Sequence, residues 1–218
     1  MGVVDTAAHR LCGREGPDRG RLFEVASEQG GYFTTDQARQ CGYSAPLLTH
    51  HVKGGRFIRV RRGLYRLREY PSSTREDLLA AWLAVGKDDA VVSHESALDL
   101  LDLSDVIPDA AHVMVPRSRR NLPKLPGVKI HTTVRALGLR EVTYRDGMSV
   151  TSPARTARTI LDAAQAGTAP DQIERAVVQA VERGLATPDE LRRGAVERGR
   201  RIAALIDGAL RKAASAAA

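Results

Sequence analysis

The chain has 218 residues, 43% of them hydrophobic, and a net charge of +7 from 33 basic and 26 acidic residues. That composition supports a packed core in one large or two small domains. No apolar run approaches the roughly 20 residues that a bilayer-spanning helix needs, and the opening stretch MGVVDTAAHRLCGREGPDRG lacks the apolar core of a secretion signal, so no membrane partner and a cytoplasmic location are expected.

Residues 1–18 mix Gly, Asp, Arg and Pro without periodicity and are expected to form a disordered tail. Arg19 to Gln29 reads as a helix with Leu22, Phe23 and Ala26 inward, closed by Gly30-Gly31. Thr34 or Thr35 can N-cap a second helix to Gln40, with Ala38 and Cys41 inward and Gly42 ending it. Ser44 can N-cap a third helix with Pro46 near its first turn. Leu48 and Val52 form its inner edge, while Thr49, His50 and Lys53 lie on the other side. Gly54-Gly55 closes it.

A basic hairpin follows. Ile58 and Val60 alternate with Arg59 and Arg61, and Tyr65 and Leu67 alternate with Arg66 and Arg68. Strand side chains change face at every residue, so each strand is expected to carry one apolar and one arginine face. Gly63 lies between the runs, where a tight turn can take a positive φ. Helices and hairpin together read as a winged helix-turn-helix over residues 19–70. The helix from Ser44 to Lys53 is then the one such a motif places in the major groove.

Charge follows the same division. Arg19 to Tyr70 carries a net +6, Arg75 to Ala110 a net −7, and Arg117 to Arg145 a net +7. A basic block inside a helix-turn-helix is a nucleic-acid footprint. The DNA-binding residues expected are Thr35, Ser44, Ala45, Thr49, His50, Lys53, Arg56, Arg59, Arg61, Arg62 and Arg66.

Pro71 to Thr74 reads as a linker, and Thr74 with Asp77 as a capping box. The helix they open runs to about Val85, with Trp82 as core anchor of a second domain over residues 74–212. Ala90 to Val92 reads as a short buried strand, with Ser93 capping a helix from His94 to Leu101. His94 and Glu95 are adjacent, so on a helix they diverge by about 100°; no third ligand has matching spacing, and a structural role is expected. Strands are expected over His112–Pro116, Val128–Thr133, Glu141–Tyr144 and Met148–Thr151, with Asp146-Gly147 as a hairpin turn. Arg117, Arg119, Arg120 and Lys124 form a secondary basic patch in a proline-rich loop.

Ser152-Pro153 opens a helix with Ala154, Ala157, Ile160, Leu161 and Ala164 inward. Its Arg155 and Arg158 either clamp a phosphate or an acidic partner or face solvent. Asp171 to Arg183 is strongly amphipathic, and Thr187-Pro188-Asp189-Glu190 is a capping box. The last helix is expected to reach about Arg211, with residues 213–218 frayed. The fold class expected is α+β or mixed α/β: the winged helix, then a larger domain with a small sheet and C-terminal helices.

No phosphate-binding loop, dinucleotide fingerprint, HExxH or GxSxG motif occurs. Asp88-Asp89 reads as a solvated turn, and Asp99 and Asp102 have no histidine or cysteine beside them. Cys12 and Cys41 belong to no CxxC pair or Cys/His cluster of zinc spacing. No catalytic residue, metal ligand or cofactor is therefore expected.

Four motifs in order, RRGLYRL, SHESALDLLDL, HVMVPRSRR and GMSVTSPARTARTILDAA, resemble the AbiEi-type antitoxins of bacterial type IV toxin–antitoxin systems. The similarity covers roughly Arg19 to Ala166. It implies a DNA-binding N-terminal domain that represses its own operon, with Ser44 to Lys53 as recognition helix and Arg59 to Arg66 as wing. It also implies a C-terminal domain that counters a cognate nucleotidyltransferase toxin. The partners expected are double-stranded DNA of its own promoter, bound by monomers pairing on inverted repeats, and that toxin. The alternative is a stand-alone winged-helix regulator whose second domain senses a ligand or partner.

Overall fold

The computed structural model describes residues 16–103 and 107–216. It divides into two compact units, Met1–Thr74 and Arg75–Ala218. Most of the expected tail, Cys12 and the last two residues lie outside the described residues. No helix among the described residues is long and apolar enough to cross a membrane.

The first unit holds α1 (Arg19–Ser27), β1 (Tyr32–Thr34), α2 (Thr35–Gln40), α3 (Ala45–Lys53), β2 (Phe57–Arg61) and β3 (Leu64–Leu67). Asp18, expected in the tail, N-caps α1 by accepting from the Arg21 N–H at 2.9 Å, and its own N–H donates to the Cys41 carbonyl. Leu22 and Ala26 are buried one turn apart on α1. Phe23, one position round the helix, is 56% exposed, which corrects its expected inward placement. Thr34, not Thr35, caps α2, through a complete capping box with Gln37. Ser44 caps α3 by accepting from the Leu47 N–H.

The three strands form an antiparallel sheet in the order β1-β3-β2. Strand β1 is absent from the sequence reading, because three residues are too few to show alternation. Its presence makes β3 the central strand. Phe57 opposes Leu67, Ile58 opposes Arg66 and Arg59 opposes Tyr65, with a register shift before Arg61 opposes Leu64. Directly opposed residues share a face. Phe57, Tyr65 and Leu67 therefore join Phe33 against the helices, where Phe33 and Phe57 pack edge to face at 5.0 Å. The expected split into an apolar and an arginine face is corrected on β2, where Phe57 and Arg59 share the face of Tyr65 and Leu67 and Ile58 lies on the other; on β3, Tyr65 and Leu67 face the helices as expected, with Arg66 opposite.

The second unit is built on a mixed five-stranded sheet in the order β6-β5-β4-β8-β7. Its strands are β4 (Val91–Val92), β5 (Ala111–Pro116), β6 (Val128–Thr133), β7 (Val142–Arg145) and β8 (Met148–Thr151). β5 runs parallel to β6, and β4 parallel to β8; the other pairs are antiparallel. β8 is buried at all four positions, Ser149 and Thr151 included, as an inner strand covered on both faces. Helices α4 (Glu76–Val85) and α5 (His94–Leu100) precede and follow β4, and α6 (Thr156–Ala166), α7 (Pro170–Glu182), α8 (Pro188–Glu197) and α9 (Arg200–Ala216) complete the unit. Leu98 and Leu103 join Ile160, Ile173, Leu191 and Ile206 in one core. Trp82 is buried, its indole N–H donating to the Ala90 carbonyl at 2.7 Å.

Three local expectations are corrected here. Thr74 does not cap α4: the N-cap position is Arg75, with no side-chain capping bond. Ser93 sits at the N-cap of α5, but its hydroxyl meets the His94 ring at 2.9 Å and makes no capping bond. Ser152-Pro153 opens a single 3-10 turn, Pro153–Arg155, before α6. That tighter turn leaves Ala154, expected inward, exposed and Arg155 buried. Thr187 and Glu190 form the expected capping box, and α9 continues past Arg211 to Ala216.

Candidate nucleic-acid interface

On α3, Leu48 is buried and Val52 packs against the same core. This seats the helix so that Ala45, Thr49, His50 and Lys53 are exposed. The Ser44 hydroxyl is occupied by capping, and the Thr49 hydroxyl donates back to the Ala45 carbonyl at 3.0 Å. The outer face thus offers a hydroxyl, an imidazole and an ammonium group within two turns.

The wing turns through Arg62-Gly63, with Gly63 at φ +80°. The Gly63 carbonyl receives the Thr35 N–H at 3.0 Å and the Thr35 hydroxyl at 3.4 Å. Thr35 therefore ties the wing tip to the start of α2. Arg59 and Arg62 are exposed and Arg61 is half-buried. Arg56 is exposed at the other end of β2, roughly 20 Å from Arg62 at the rise of an extended strand. It lines a cleft of about 490 Å³ with Arg19, Tyr43, His51 and Arg68, so it is separate from the wing tip.

Arg66 is a correction. It is 7% exposed, and its guanidinium donates to the carbonyls of Tyr70 at 2.9 Å and Pro71 at 3.0 Å, over the Tyr32 ring. An arginine on a central strand is covered on its own face, and here it clasps the segment leaving the sheet. His51 packs against Phe57 at 5.0 Å, and burial, with the positive charge of Arg56, lowers its pKa. Burial raises the pKa of the Cys41 thiol, so it is a core filler and no reactive thiolate.

Residues 21–68 match the family model described as transcriptional regulator, AbiEi antitoxin. The matched AbiEi segment begins within α1 and ends one residue after β3. The crystal structure of the RV2827C protein from Mycobacterium tuberculosis is similar in fold, with a TM-score of 0.58 and 15% identity over 86% of this chain and 75% of that one. No curated protein sequence matches the chain.

Beyond the matched segment, Arg117, Arg119, Arg120 and Lys124 are exposed. Arg119 is spent internally, on Asp89 at 3.0 Å and the Val85 carbonyl. Arg155 and Arg158 differ in surroundings: Arg158 is exposed, while Arg155 is buried against Asp162 at 2.9 Å and Glu141 at 3.4 Å. Asp162 also accepts from Arg198 at 2.6 Å. The expected acidic partner of Arg155 is thus supplied by the fold itself. Asp99 binds Arg75 and Asp102 binds Arg145, so these carboxylates are ion-paired as well.

The structure also assembles what spacing did not reveal. His112 on β5 and His131 on β6 share a face, because His131 lies opposite Met114 in the parallel register. The His112 Nδ1 and His131 Nε2 atoms are 3.2 Å apart, and the His94 ring stacks on His131 at 3.5 Å. Burial, then the neighbouring imidazoles, push His94 down to about 2 and His131 down to about 4; burial also lowers His112. His94 and His131 are therefore neutral at neutral pH. His94 and His131 open onto a cleft of about 590 Å³ that Arg135, Arg155 and Arg158 also line. The three lie far apart in sequence on three elements, so only strand register could have revealed the cluster.

Proposed function

We propose that residues 19–70 bind duplex DNA as a winged helix-turn-helix, and that the chain represses its own promoter as the antitoxin of a nucleotidyltransferase toxin. Thr49, His50 and Lys53 meet base edges from the major groove, with Ser44 and Ala45 at the helix entry. Arg59, Arg61 and Arg62 grip phosphates or the minor groove. The observation that carries this reading is the wing tip tied by Thr35 to the helix-turn-helix, beside an α3 face whose polar groups are exposed. The toxin and the autorepression rest on the AbiEi match alone.

Electrophoretic shift with the chain's own promoter tests the DNA reading. A shift is expected at low salt, weakening steeply as salt rises because each phosphate contact releases counterions. Arg59→Ala with Arg62→Ala should lower the slope of log K against log salt by about 2. No shift at low salt, or a double variant with unchanged slope, would sink it. Rescue of growth when the chain is co-expressed with the toxin from the adjoining gene tests the antitoxin role.

The runner-up, a stand-alone regulator whose second unit senses a ligand, draws on the cleft lined by His94, His131 and Arg158. The absence of any toxin gene beside this one would favour it.

A further inference from the structure

We propose that His94, His112 and His131 bind a divalent transition-metal ion of the zinc type in the second unit. One ring nitrogen from each lies within 4.8 Å of the others. Tetrahedral coordination at about 2.0–2.1 Å separates two ligand nitrogens by roughly 3.4 Å, and His112 Nδ1 and His131 Nε2 already stand at 3.2 Å. Three imidazoles and no cysteine suit zinc, cobalt, nickel or copper over magnesium or calcium, which prefer oxygen.

The surroundings assign the nitrogens. The His94 Nδ1 is engaged by the Ser93 hydroxyl at 2.9 Å, which leaves Nε2 for the ion. His112 is 1% exposed; its Nδ1 faces His131, and its buried Nε2 has no hydrogen-bond partner among the described residues. Glu95 Oε2 lies 3.7 Å from that Nε2, and Glu95 is itself held by the Thr168 hydroxyl at 2.7 Å. A small closure gives the carboxylate–histidine–metal arrangement that fixes the tautomer of a ligating histidine. A ligand set of Glu95, Asp109 and His112 is also within reach, but Asp109 is exposed and spent on Lys129 at 3.1 Å.

The backbone fits the same reading. His94 holds φ +52°, a left-handed conformation that costs a non-glycine residue free energy and is retained where the structure over-determines it. Coordination requires the His94 ring to splay from its stack on His131, and the adjoining cleft gives it room. The cleft also leaves a fourth coordination position open to water or to an anion. A bound ion would join the start of α5 to β5 and to the edge strand β6.

The test uses the full chain, stripped with chelator and titrated with Zn2+ by calorimetry and with Co2+ by visible absorption. One ion per chain, a cobalt band of four- or five-coordinate type and a raised melting temperature are expected. His131→Ala, at the rim of the cleft, should weaken binding by at least about 100-fold, and Glu95→Gln, a positioning change, by about 10- to 100-fold. X-ray absorption on the zinc-loaded unaltered chain should count three imidazoles, whether or not the variants fold. No retained ion, one imidazole or none at the zinc, or unchanged affinity in a folded His131→Ala chain overturns the proposal.

Discussion

Arg62 and Arg66 stand four positions apart in one basic run, yet one is exposed at the wing tip and the other lies 7% exposed against two carbonyl oxygens. Period-two alternation treats them alike. What separates them is β1, which covers one edge of β3 and makes Arg66 an interior residue. Arg66→Ala should therefore act on stability, not contact. It orphans the Tyr70 and Pro71 carbonyls and should cost about 2–3 kcal/mol, read by thermal unfolding. The salt slope of DNA binding by the folded fraction should not change. Gly31 is a second such position: it holds φ +86°, and an added β-carbon would overlap the Tyr70 ring. Gly31→Ala should destabilise the first unit by at least about 2 kcal/mol in denaturant titration.

At the scale of elements, the sequence was legible where a signal is local and carries its own hydrogen bond. The caps of α3 at Ser44 and of α8 at Thr187 fall where side-chain chemistry places them. Thr187→Ala should cost about 1 kcal/mol, whereas Thr74→Ala, which removes no capping bond, should stay within about 0.5 kcal/mol; melting temperatures of the two variants check the contrast. Legibility failed where a tertiary choice decides. The pairing of β2 put Phe57 rather than Ile58 on the inner face, and the 3-10 turn at Pro153 turned Arg155 inward toward Asp162 and Glu141. The histidine cluster failed for the same reason, since only the pairing of β5 with β6 brings His131 beside His112. The outer face of α3 needed no such information, because Leu48 and Val52 fix which side turns inward.

Across the whole molecule, the blocks of opposite charge have different fates. The acidic stretch from Arg75 to Ala110 and the basic stretch from Arg117 to Arg145 belong to one unit and meet in three ion pairs. Asp89 pairs with Arg119, Asp102 with Arg145 and Asp109 with Lys129. The net +6 of Arg19 to Tyr70 lies in the other unit, with Arg59 and Arg62 exposed. Substituting Arg117, Arg120 and Lys124 together by alanine should therefore lower promoter affinity less than the wing pair does, in the same shift assay. A larger loss would mean that the second unit grips DNA directly.

Trp82 carries a practical consequence. It is the chain's single tryptophan, buried on α4 of the second unit with its indole N–H on the Ala90 carbonyl. Indole emission excited apart from the tyrosines is thus a private gauge of that unit's packing. A change in it would mark the loosening of α4 from the Ala90 carbonyl as that unit unfolds.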